Sequence, residues 1–106
     1  FIKYKNKRVG GKKMIKHIVM WKFKENTEKE MNEFLDGLKA LENQIDVIKS
    51  MQVGKNIDND EYDAILISEF ESLEDLQNYK TDPRHVRVSN MCKEIRTKRT
   101  AFDFEE

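Results

Sequence analysis

Cysteine, proline and histidine are scarce in this chain of 106 residues: it has one cysteine, one proline and two histidines. The lone Cys92 excludes an intrachain disulfide and any zinc site built from several cysteines of one chain. One unpaired thiol fits a reducing compartment, so a cytoplasmic location is expected. Cys92 falls among apolar neighbours at helical spacing, which predicts a buried, inert thiol. No stretch approaches the ~18 consecutive apolar residues of a membrane span, and no signal-peptide core is present, so no membrane association is expected. The length suits one domain with one modest core.

Net charge is also lacking, since 20 Lys and Arg balance 20 Asp and Glu. The balance hides an asymmetry. Residues 1–13 hold six basic side chains and no acid, which leaves the remainder at a net charge of −6. An acidic body is a poor match for phosphate, so no nucleic-acid binding is expected of it. The basic segment reads as a disordered extension over 1–13, with one domain over 14–106. A nucleic-acid or membrane arm is the other reading of that segment.

The pattern that is present alternates strands with amphipathic helices. Ile15–Phe23 alternates with period two, and both of its faces carry apolar residues. Asn26-Thr27 offers a helix cap, followed by Met31, Phe34, Leu35, Leu38, Leu41 and Ile45 at intervals of three and four. This predicts a helix of about 17 residues. A strand near 47–55, turn chemistry at 56–60 and a strand over 62–70 come next. In the latter, Tyr62, Ala64, Leu66 and Phe70 would share a face opposite Ile65 and Ile67. Ser72 caps a second helix, Asp82-Pro83 breaks it, a third segment covers about 85–96, and Thr100–Phe104 forms the last strand.

The order β-α-β-β-α-β defines an α+β, ferredoxin-like protomer with a four-stranded antiparallel sheet. Its helices can cover only one sheet face. The apolar residues on the other face call for a second copy, sheet against sheet, giving a homodimer that closes as a dimeric α/β barrel.

Candidate chemistry rests on His17 in the first strand and on Tyr79 and His85 around the proline turn, because imidazole titrates nearest neutral pH. Each residue also has a structural role open to it. His17 could bond a buried backbone group, Tyr79 could fill the core, and His85 could fix a loop. Arg84, Arg87 and Lys80 beside His85 hint at a polar or anionic ligand, with solvated helix charges as the alternative. No His-x-x-x-His spacing favours a metal, and none is expected.

The run Lys16-His17-Ile18-Val19-Met20-Trp21-Lys22-Phe23-Lys24 resembles the opening of the stress-responsive A/B barrel domains. So do Ser72-Leu73-Glu74-Asp75-Leu76-Gln77-Asn78-Tyr79 and Asp82-Pro83-Arg84-His85-Val86, and the likeness spans about residues 14–104. That resemblance implies a dimeric α+β barrel, no cofactor and a small-molecule ligand. Many bacterial members have no known activity. One branch, a plant polyketide cyclase, closes a ring by intramolecular aldol chemistry with two histidines and a tyrosine. By motif those positions are His17, His85 and Tyr79, with His85 as base, Tyr79 as donor, and His17 as orienter or second donor. Trp21 and Arg84 are the ligand-binding candidates that accompany them. No motif favours the related antibiotic-type or haem-degrading monooxygenases.

Overall fold

The computed structural model describes residues 13–58 and 61–106. The basic extension expected over 1–13 lies outside the described residues except for Lys13, as do Asn59 and Asp60 of the turn.

Four strands, β1 (Ile15–Phe23), β2 (Ser50–Lys55), β3 (Ala64–Phe70) and β4 (Arg96–Glu105), form one antiparallel sheet in the order β2-β3-β1-β4. Three helices, α1 (Glu28–Leu41), α2 (Leu73–Thr81) and α3 (Pro83–Lys93), cover one face. The ferredoxin-like order read from the sequence is the order observed. β1 is central because it pairs on both edges, with β3 and with β4.

Strand parity places Ile15, His17, Val19, Trp21 and Phe23 towards the helices, where all are buried. β3 contributes Ala64, Leu66, Ser68 and Phe70 to the same side. α1 lays Phe34, Leu35, Leu38 and Leu41 on this surface. Trp21 and Phe34 meet edge to face with ring centroids 5.1 Å apart, a geometry that ring quadrupoles favour. Gly37 lets α3 approach α1: a Cβ there would lie 3.3 Å from Val88 Cγ1.

Several boundaries differ from the sequence expectation. α1 stops at Leu41, and Ile45 is buried from a turn instead, its amide donating to the Leu41 carbonyl. Thr27 occupies the cap position, but its hydroxyl donates to the Lys24 carbonyl at 2.6 Å and caps nothing. β2 begins at Ser50 rather than 47, with Ile48 buried ahead of it. β3 begins at Ala64, so Tyr62 does not share its face. The Tyr62 hydroxyl instead bonds Thr100, whose register partner Met20 lies on the open side of the sheet. Asp63 breaks the alternation by binding β1 itself: its amide donates to the Trp21 carbonyl and its carboxylate accepts from the Phe23 amide at 2.8 Å. α3 starts at Pro83, two residues early, because the Asp82 carboxylate caps it through the Arg84 amide.

The sheet face away from the helices carries Ile18, Met20, Ile65, Ile67, Phe102 and Phe104. Phe102 is 65% exposed and packs on Phe104 with centroids 5.9 Å apart.

Candidate functional site

The helix-facing strand parity that buries the core also puts His17 beneath the α2–α3 junction. β4 runs alongside in a register that sets Asp103 opposite His17 and Arg99 opposite Trp21. From above, α2 ends at Thr81 and the proline turn brings α3 straight back, so the Tyr79 and His85 rings lie against each other with centroids 4.3 Å apart and planes tilted by 44°. His17 meets the Tyr79 ring edge to face at 6.3 Å. The three residues singled out by their chemistry therefore stand together on one side of the sheet.

A cavity of about 230 Å³ opens beside them, between sheet and helices. Its apolar wall is Val19, Trp21, Phe34, Leu38 and Leu66, while His17, Lys80, His85, Ser89 and Arg99 supply its polar side. Tyr79 backs the two histidines rather than lining this space.

Each imidazole is held by its Nδ1. His17 Nδ1 lies 2.5 Å from an Asp103 carboxylate oxygen, and His85 Nδ1 lies 3.1 Å from the Lys80 carbonyl. A carbonyl oxygen and a carboxylate only accept, so Nδ1 carries the proton in both neutral rings and Nε2 keeps the lone pair. Burial lowers the pKa of both histidines, more than the bond to Asp103 raises that of His17. Both rings are thus neutral near pH 7. Burial pushes the Tyr79 phenol upward, so it stays protonated. Its hydroxyl and the Trp21 indole N–H are buried without a hydrogen-bond partner. Unpaired buried donors are costly, and donors beside a cavity are offered to whatever fills it.

These directions make stability depend on pH. With the folded pKa of both histidines below the ordinary 6.5, the unfolded chain binds more protons in the window between the two values. Their contribution is fully present above pH 6.5 and is lost as pH falls towards the lowered folded values. The urea midpoint is expected to drop between about pH 7.5 and about pH 5.5, and His85→Gln should flatten part of that slope. A midpoint constant across that range would contradict the assignment of two buried neutral imidazoles.

Of the other candidates, Trp21 lines the cavity and is 3% exposed. Arg84 does not line it. Its guanidinium is engaged by Asp82 at 2.8 Å and by the Gln44 carbonyl, on the outer surface. The Arg84 bonds hold the Asp82 carboxyl down at about 2. Arg84 therefore braces the proline turn in place of reaching a ligand in this cavity. Cys92 is buried at the cavity wall with its thiol pKa raised by burial, so it stays a thiol. Asp103 and Arg99 were not anticipated. Among the described residues no group of three or more His, Cys, Asp or Glu could hold a metal ion, and no helix is long and apolar enough to cross a membrane.

The sequence model of the Stress responsive A/B Barrel Domain matches residues 15–106. The chain belongs to this family. Among curated proteins, olivetolic acid cyclase from Cannabis sativa is 30% identical over 95 residues, covering 85% of this chain and 94% of the cyclase. A solved dimeric protein of unknown function and ferredoxin-like fold from Bacteroides fragilis shares 33% identity at a TM-score of 0.82, over 88% of this chain and 96% of its own. Hydroxynitrile lyase from Passiflora edulis shares the fold, with a TM-score of 0.79 at 17% identity over 88% of this chain and 93% of the lyase. The A/B barrel chain thus keeps its family's fold with the His17, Tyr79 and His85 cluster inside it.

Proposed function

We propose that the protein is a homodimer that binds a small carbonyl compound in the cavity of each protomer and enolises it by acid–base chemistry, as an aldol-type cyclase does. One observation carries this reading: two neutral imidazoles with their Nε2 lone pairs unassigned flank a phenol whose proton has no partner. Proton abstraction alpha to a carbonyl needs a base and a donor for the enolate oxygen.

The two histidines differ in their counter-groups, which divides the labour. His85 has a backbone carbonyl behind it and remains the neutral base. Its Nε2 takes the alpha proton, and the electron pair moves onto the carbonyl oxygen. The Tyr79 hydroxyl, unpartnered directly behind the two imidazoles, donates to that oxygen once the substrate carbonyl enters between them. When the enolate carbon attacks a second carbonyl, the His85 imidazolium returns its Nε2 proton to the alkoxide that forms, while His17, held through Nδ1 by Asp103, stays neutral and acts as the orienting group. The sequence is redox-neutral, and protons taken are protons given back.

The cavity limits the substrate. At about 230 Å³ it is smaller than the ~300–1,000 Å³ of pockets for drug-sized ligands. A compact diketone fits the dimensions better than a polyketide with a long alkyl tail. The test is NMR detection of solvent deuterium entering the alpha position of small 1,3- and 1,5-diketones, followed by a search for cyclised product. Exchange no faster than buffer across such a panel would defeat the enolising assignment.

The dimer part of the reading rests on the open sheet face and on the dimeric relatives. Light scattering at micromolar concentration should return twice the chain mass. Phe102→Glu places a carboxylate in the apolar face and is expected to weaken self-association by at least about tenfold. An unaltered dimer in that variant would rule out sheet-to-sheet packing through Phe102.

A further inference from the structure

Arg99 distinguishes this cavity from a plain apolar pocket. It sits on β4 opposite Trp21, on the helix-facing side, and lines the cavity with His17 and His85. Among the described residues its guanidinium forms no ion pair and no side-chain hydrogen bond. The other cation at the cavity, Lys80, has a counter-ion, since its Nζ lies 3.7 Å from Asp103. No aspartate or glutamate lines the space, and both histidines are neutral. One positive charge is therefore left uncompensated at an otherwise apolar and neutral site.

We infer that Arg99 makes the cavity selective for a carboxylate, so that the carbonyl compound it takes is a small oxo-acid anion whose carboxylate pairs with the Arg99 guanidinium. This rests on the carbonyl-binding reading above and narrows its substrate class. A guanidinium offers paired N–H donors that match both oxygens of a carboxylate, a bidentate geometry that a single ammonium cannot supply. The positions also agree. With the carboxylate at Arg99, the chain of a 3-oxo acid would extend along the Trp21 wall towards His17 and His85, which line the same cavity. Lys80 is less suited, because Asp103 already competes for its charge.

The experiment is titration calorimetry of the full chain with 3-oxohexanoate and with its methyl ester, which keeps the carbonyls and removes the charge. Wild type is expected to bind the anion at least about tenfold more tightly than the ester, with affinity falling as salt is raised. Arg99→Leu should weaken anion binding by about ten- to a hundredfold and leave the ester unchanged, while Arg99→Lys restores part of the loss. Urea melts of each variant show whether the fold is kept, and Arg99→Gln replaces any variant that is not folded. Equal affinity for anion and ester in wild type, or a preference that survives Arg99→Leu, overturns the inference while leaving carbonyl binding intact. Absence of binding by either compound overturns both. Anion-selective binding with no deuterium entering the ligand supports the role of Arg99 and removes the enolising chemistry.

Discussion

His85→Ala is expected to lower enolisation by about 10²–10⁴-fold, the range a positioned general base supplies. The loss should fall mainly on turnover, since His85 contributes one edge of a cavity whose wall comes largely from the sheet and α1. The pH profile separates chemistry from architecture. Burial holds the His85 pKa below 6.5, so the wild-type rate should stay high to below that pH and fall only when Nε2 is protonated. The variant should lose that limb, because the group that titrates is gone. Tyr79→Phe gives a sharper contrast. Removing one oxyanion donor costs about 10²–10³ in rate. The same change deletes a buried hydroxyl without a partner, whose burial is a liability of about 1–3 kcal/mol. The variant should therefore be slower yet at least as stable as wild type. A tyrosine whose role is only to pack its ring predicts the same stability with no change in rate, so the rate separates the two. Enolisation indifferent to His85→Ala would remove that imidazole from the mechanism.

How the site is divided along the chain explains which parts of it the sequence discloses. His17, Tyr79 and His85 lie in segments whose local pattern sets their direction: an alternating strand, a helix stripe and a proline turn. Period two turns His17 towards the helices, and Asp82-Pro83 forces the reversal that sets His85 against Tyr79. Asp103 and Arg99 reach the site through pairing of β4 with β1, elements more than 70 residues apart. No hairpin fixes that register, and a slip of one residue would turn both side chains to the open face. Their places follow only from the ladder that pairs His17 with Asp103. Arg84 is the converse. Next to His85 in sequence, it looks like a ligand group, but the helix turns it towards Asp82 and the Gln44 carbonyl. Tyr62 fails similarly: two residues of irregular backbone before Ala64 are enough to send it to the other face.

Phe70→Ala is expected to destabilise the protomer by about 3–5 kcal/mol, a large share of the about 5–15 kcal/mol that holds a domain of this kind together. Phe70 is fully buried at the end of β3, and its ring lies 5.1 Å from that of Tyr79. Truncation removes the apolar surface the ring covers and the aromatic contact, and leaves a void that the rigid interior strands of the sheet cannot close. The effect should register as a lower urea midpoint with an unchanged slope. The void also opens directly behind Tyr79, whose contact with His85 depends on that support. A donor displaced by even an ångström loses much of its hold on a developing oxyanion, so turnover should drop beyond what the folded fraction accounts for. Ile57→Ala is the control, since its side chain is 98% exposed in the turn after β2 and supports nothing within the protomer core. It should change protomer stability by less than about 1 kcal/mol and leave the chemistry of the folded protein untouched. A Phe70→Ala protein as stable as wild type would mean that Tyr79 is held by α2 alone, and the site would then owe its geometry to the helix and the proline turn without help from the sheet.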